Sequence, residues 1–149
     1  MVMKKILFSL LMLVCATVSY AQSFTSAQET LRKEISSYLS RQGLNPENQS
    51  DGLKFKSEGS NFYIEIDKDK KSPMYVRLCR YIKFDDKITR EKVIKNLNSY
   101  NVKYGVKASC QAKNIVVSYE MFLTKSEEFT YIFSDILSQV KSAYTKVTE

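Results

Sequence analysis

The chain contains no histidine and no tryptophan. Histidine is the commonest general base, metal ligand and near-neutral pH switch, so its absence removes a large block of chemistry. Serine–histidine and cysteine–histidine nucleophile systems are excluded outright. Cysteine is scarce as well, with three in 149 residues. A zinc site beyond the N-terminal segment would have only Cys79, Cys110 and carboxylates to draw on, a poor donor set. Long apolar runs are also missing. No stretch reaches the roughly 20 apolar residues that a bilayer-spanning helix needs. The sequence therefore assigns no catalytic, cofactor-binding or metal-ligating residue.

What is present begins with an address. Lys4 and Lys5 precede an apolar run from Ile6 to Val18, and Ser19-Tyr20-Ala21 follows as a small-x-small cleavage pattern. This predicts a secretory signal peptide over residues 1–21 and a mature chain from Gln22, periplasmic or secreted. Cys15 follows Val14, whereas a lipoprotein cysteine follows a small residue, so no stable membrane anchor is expected. Removing residues 1–21 leaves 128 residues and takes away two lysines, lowering the net charge from +7 to +5. That length suits a single domain, 22–149, with one core. The lysines are scattered, which argues against a nucleic-acid footprint.

Periodicity then orders the elements. Ser23 to Gly43 reads as a helix, capped by Thr25 or Ser26 with Gln28 or Glu29, and striped by Leu31, Ile35, Tyr38 and Leu39. Asn45 to Gly52 is rich in turn formers and reads as a polar loop. Leu53–Lys56, Phe62–Asp67 and Met74–Phe84 read as strands of an antiparallel meander, with Lys68 to Pro73 as a charged turn. On the third strand Val76, Leu78 and Ile82 share one face, and Tyr75, Arg77, Cys79 and Tyr81 share the other. A shorter helix follows from about Thr89 to Asn101, with Val93, Ile94, Leu97 and Tyr100 on its apolar face. Tyr104–Ala112 and Ile115–Leu123 form a last hairpin. Thr124 with Glu127 is expected to cap a final helix striped by Phe129, Ile132, Phe133, Ile136, Leu137, Val140, Tyr144 and Val147. The expected order is α-β-β-β-α-β-β-α, an α+β fold with helices packed on a five-stranded, mainly antiparallel sheet.

That order resembles the type III secretion chaperone-like fold, in particular the YbjN-like proteins. The match is best at Lys95-Asn96-Leu97-Asn98-Ser99-Tyr100-Asn101, where the second helix ends in an asparagine-rich stretch. The turn after Gly52, the Gly59…Phe62 strand start and the capped last helix also fit. The resemblance implies protein binding and carries over no catalytic residue. Secretion chaperones of this fold are small, acidic, cytoplasmic homodimers that hold extended segments of other proteins. This chain departs from them in being basic and in carrying an export signal.

Several constellations suggest contacts or chemistry. Tyr63, Tyr75, Arg77 and Tyr81 fall on strand faces that would form one aromatic and cationic patch if they point the same way. Tyrosine and arginine are enriched where proteins meet. The patch is the candidate surface for a protein or peptide partner, or for a second copy in a homodimer; simple packing is the plainer alternative. Cys79 and Cys110 either form one disulfide in an oxidising compartment or remain buried thiols. Glu65 with Asp67, and Asp85 with Asp86, are the candidate carboxylate pairs for an exported hydrolase or sugar-active protein. They sit where exposed acids ordinarily occur. Asp51, Asp67 and Asp69 do not make a calcium loop, because Lys68, Lys70 and Lys71 lie among them. Those three lysines read as a solvated loop tip. The leading expectation is a small exported binding domain without catalysis; a carboxylate hydrolase and an envelope accessory protein are the alternatives.

Overall fold

The computed structural model describes residues 23–101 and 105–149, with the side chains of 98–100 outside the description. The segment read as a signal, Cys15, the Tyr100 side chain and Tyr104 therefore lie outside the described residues.

Helix α1 spans Ser26–Arg41. The Gln28 amide donates to Thr25 Oγ1 at 3.3 Å, and Gln28 Oε1 accepts from the Thr25 amide at 2.9 Å, the reciprocal cap expected from the sequence. Gln28 then does a second job. Its Nε2 donates to the carbonyls of Asp67 at 2.8 Å and Lys70 at 3.2 Å, tying the helix start to a distant strand. Leu31, Ile35 and Leu39 are buried beneath the helix. The helix ends at Gly43, whose φ of +76° suits glycine; Gly43 N bonds Ser40 O and Leu44 N bonds Leu39 O, both at 3.0 Å.

The strands that follow are β1 (Glu47–Gln49), β2 (Gly52–Ser57), β3 (Ser60–Lys71) and β4 (Met74–Lys83). Then come helix α2 (Arg90–Asn101), strands β5 (Lys107–Cys110) and β6 (Asn114–Leu123), and helix α3 (Ser126–Thr148). The sheet is antiparallel throughout, with the order β1-β2-β3-β4-β6-β5. It has six strands rather than five. The added strand is β1, in the stretch read as a polar loop. Glu47, Asn48 and Gln49 have neither alternation nor branched side chains, and they pair because the turn at Ser50-Asp51 folds the chain straight back onto β2. A Cβ at Gly52 would run into the Ile64 carbonyl, so the close approach of β3 at this point requires glycine. β3 also outruns its expected end at Asp67. Its register against β4 shifts between Ile66 and Lys71, and the Gln28 bonds hold the shifted residues in place.

The cap of α3 differs by one residue from expectation. Glu128, not Glu127, turns back to the chain: its carboxylate accepts from Thr124 N and Thr124 Oγ1, each at 2.8 Å, and from Lys125 N at 3.4 Å. The helix begins at Ser126, so the residue three past its start boundary is Glu128.

The three helices of the described residues lie on one side of the sheet. α1 rests on β2 and β3, α3 on β4 and β6, and α2 against β5 and α3. The core between them holds Phe55, Phe62, Ile64, Val76, Leu78, Ile115 and Val117 from the strands. Phe129, Phe133, Ile136 and Val140 come from α3. Arg80 is the exception on this side. Its guanidinium lies 3.6 Å over the Tyr144 ring and 5.7 Å from that of Phe62, and the surrounding burial lowers its pKa. Among the described residues, no helix lies on the opposite side of the sheet.

Candidate functional site

The uncovered side is built by the alternate residues of β3, β4 and β6. Register sets Glu65 beside Arg77 and Arg77 beside Glu120. Lys107 of β5 reaches Glu120 at 2.8 Å. A belt of alternating charge therefore crosses four strands, with each charge matched. On one flank of the belt Tyr63 meets Tyr81 edge to face, with ring centroids 5.3 Å apart. On the other flank Tyr75 meets Phe122 at 5.3 Å. Phe122 is 62 % exposed, a large apolar ring presented to solvent on the face that carries no helix among the described residues.

Glu65 is the hub. Arg77 Nε donates to Glu65 Oε2 at 2.9 Å and Arg77 Nη2 donates to the same oxygen. Tyr81 OH donates to Glu65 Oε1, and the Cys79 thiol reaches that oxygen at 3.5 Å. Both members of the ion pair are largely withdrawn from water, with side chains 18 % (Glu65) and 29 % (Arg77) exposed. Burial alone would lower the Arg77 pKa, but the bonds and charge of Glu65 outweigh it and raise it instead. Burial and the Glu65 bond likewise raise the Tyr81 phenol. Burial pushes the Cys79 thiol up, and the Glu65 charge adds to that. Tyr75 is pushed up to about 12 by burial and by its bond to Glu120. At Glu120 burial opposes ionisation, yet the bonds from Lys107 and Tyr75 prevail and hold its carboxyl below the usual range. A shallow cleft of about 410 Å³ opens beside the belt at the β3 irregularity, lined by Asp51, Glu65, Asp67, Lys68, Tyr75 and Arg77.

The four residues singled out from the sequence, Tyr63, Tyr75, Arg77 and Tyr81, thus share one face. They do not play one part. Arg77 and Tyr81 turn inward to Glu65, and Tyr75 presents its ring beside Phe122. Sequence reasoning weighed Glu65 only as a surface carboxylate and did not single out Phe122, Glu120 or Lys107. The signal for Phe122 was its place on the polar side of β6, opposite the core-facing Met121 and Leu123.

Cys79 and Cys110, the two cysteines among the described residues, are free. Cys79 is buried on the uncovered side, paired in register with Ser118 of β6. Cys110 lies on β5 and packs toward the helix-side core. β6 stands between their strands, which separates the backbones by roughly 9.5 Å, beyond the ~7 Å that a bridge tolerates. Of the two alternatives open from sequence, the structure has the second, two separate thiols. Among the described residues no three His, Cys, Asp or Glu side chains gather as a metal site, and no helix is long and apolar enough to cross a membrane.

No family model and no curated protein matches the chain. Among solved structures, it is similar to the crystal structure of YbjN from E. coli. The likeness has a TM-score of 0.57 and covers 78 % of this chain and 87 % of that one. The fold is YbjN-like. Sequence identity is 14 %, so the YbjN likeness is one of architecture and not of site residues.

Proposed function

We propose that the chain is a small exported, non-catalytic binding domain that holds a protein or peptide on the uncovered side of its sheet, in a chaperone-like manner. The observation that carries this reading is Phe122, 62 % exposed and packed against Tyr75, on a sheet face that no helix of the described residues covers. Exposed aromatic rings rimmed by polar groups are the usual anchors of protein contacts. Around them the charges of the belt are matched among Glu65, Arg77, Glu120 and Lys107. A face so neutralised offers no array of free cations for a phosphate backbone. It suits a partner that buries apolar rings. The YbjN-like fold is consistent with this role. YbjN itself is described as a candidate transcription regulator. Export rests on the N-terminal pattern of Lys4, Lys5, Ile6–Val18 and Ser19-Tyr20-Ala21. A second copy bound through the same face would give a homodimer.

The chemistry of Glu65 supports binding over hydrolysis. Its two oxygens are occupied by Arg77, Tyr81 and Cys79, which leaves little room for a substrate proton or a glycosidic oxygen. The test is capture of partners from envelope extract by the chain starting at Gln22, with a Tyr75→Ala/Phe122→Ala twin in parallel. A partner retained by the first and lost by the second supports the reading. Equal retention by both overturns it. Arg77 is unsuitable for this test, because removing it strands Glu65.

A further inference from the structure

β5 is an outer strand of the sheet. In an antiparallel pair, residues whose N–H and C=O face the neighbour alternate with residues whose groups face away. The bond from Gln111 N to Asn114 O at 2.8 Å sets the phase of this hairpin. Ser109 and Lys107 then face β6, while Ala108 and Cys110 turn their backbone groups outward. Asn101, the last residue of α2, fills the outward position at Ala108. Its Nδ2 donates to the Ala108 carbonyl at 2.8 Å, and its Oδ1 accepts from the Ala108 amide at 2.9 Å. A carboxamide offers the same donor and acceptor as the peptide group of an added strand. Arg90, the first residue of α2, donates to the Gln111 carbonyl at 3.3 Å, so the helix clasps this edge at both ends.

We propose that Asn101 is a plug that keeps β5 from pairing with β5 of a second copy of this chain. The edge is self-complementary. Antiparallel pairing centred on Ala108 would set Val106 opposite Cys110 on the helix side and Lys107 opposite Ser109 on the uncovered side. Apolar meets apolar, and no like charges face each other. Open strand edges invite such pairing, and folded proteins block them. The plug acts at the edge and is independent of whether the Tyr75 and Phe122 face binds a partner.

The test is the molar mass of N101A by light scattering over a concentration series. The plug predicts a mass that doubles with concentration, while wild type and S109K keep their masses. Adding S109K to N101A places a lysine opposite Lys107 of the second copy and should return the mass to the wild-type value. N101D keeps the side-chain size but loses the donor to the Ala108 carbonyl, and it gives the same doubling if N101A does not fold. A folded N101A or N101D whose mass follows wild type at every concentration overturns the proposal. So does a dimer that survives addition of S109K.

Discussion

Replacing Glu65 with alanine tests whether the belt is a coupled unit. The change deletes a carboxylate that is 18 % exposed and leaves the 29 %-exposed guanidinium of Arg77 without its partner. It also frees the Tyr81 hydroxyl and the Cys79 thiol. Breaking a fully buried ion pair from one side costs ~3–5 kcal/mol, and partial exposure reduces that, so a cost of about 2–4 kcal/mol is expected. For a domain of this size that lowers Tm by roughly 10 °C. The double variant Glu65→Leu/Arg77→Met removes both charges and fills similar volume, and it should lie within ~1 kcal/mol of wild type. Urea unfolding of Glu65→Leu, Arg77→Met and the double variant closes the cycle. A coupling of about 2 kcal/mol or more is expected. Additive effects, or a Glu65→Ala cost under ~0.5 kcal/mol, would refute the claim that Glu65 organises this face.

Further outcomes follow from the same contacts. Gln28→Ala removes the side-chain half of the α1 capping box, the acceptor of the Thr25 amide, and strips the donor from the Asp67 and Lys70 carbonyls; urea unfolding should show a loss of roughly 2–4 kcal/mol. Tyr75 holds its proton to about pH 12 in the folded chain, against an ordinary 10.0. Stability is therefore independent of this group below pH 10 and falls as pH rises from 10 toward 12, because only the unfolded state gives up the proton there. Tyr75→Phe should flatten that fall, as read by urea midpoints across the range. The buried Cys79 thiol, with its raised pKa, should react with a thiol reagent much more slowly than Cys110 in native protein, and at the same rate in denaturant. Mass spectrometry of the labelled peptides checks this.

Much of the architecture was legible because it follows from local rules. Thr25 and Gln28 announce α1, and the alternation of Phe62, Ile64 and Ile66 announces β3. Opposite parity along Met74–Lys83 placed Tyr75, Arg77 and Tyr81 together on the side away from the core. What escaped depends on pairing between distant residues. β1 has no pattern of its own and exists through the turn at Ser50-Asp51 and its partner β2. Glu65 looked like any exposed acid until register set it beside Arg77, twelve residues away. Arg80 occupies a core-side position that periodicity would give to an apolar residue, and the rings of Tyr144 on α3 and Phe62 on β3 receive its charge. The two cysteines sit in strands as expected, but strand order and facing, which sequence does not show, keep them apart.

The central claim is that the uncovered sheet face meets the partner. It is tested most directly by placing a photo-reactive phenylalanine analogue at Phe122 and, in a second protein, at Tyr131. Tyr131 is 90 % exposed on α3 and lies away from the proposed surface. Irradiation in envelope extract should crosslink a partner to position 122 and not to position 131, and the adduct should vanish when Tyr75 is also replaced by alanine. Adducts at position 131 alone, or equal yields from both positions, would contradict it.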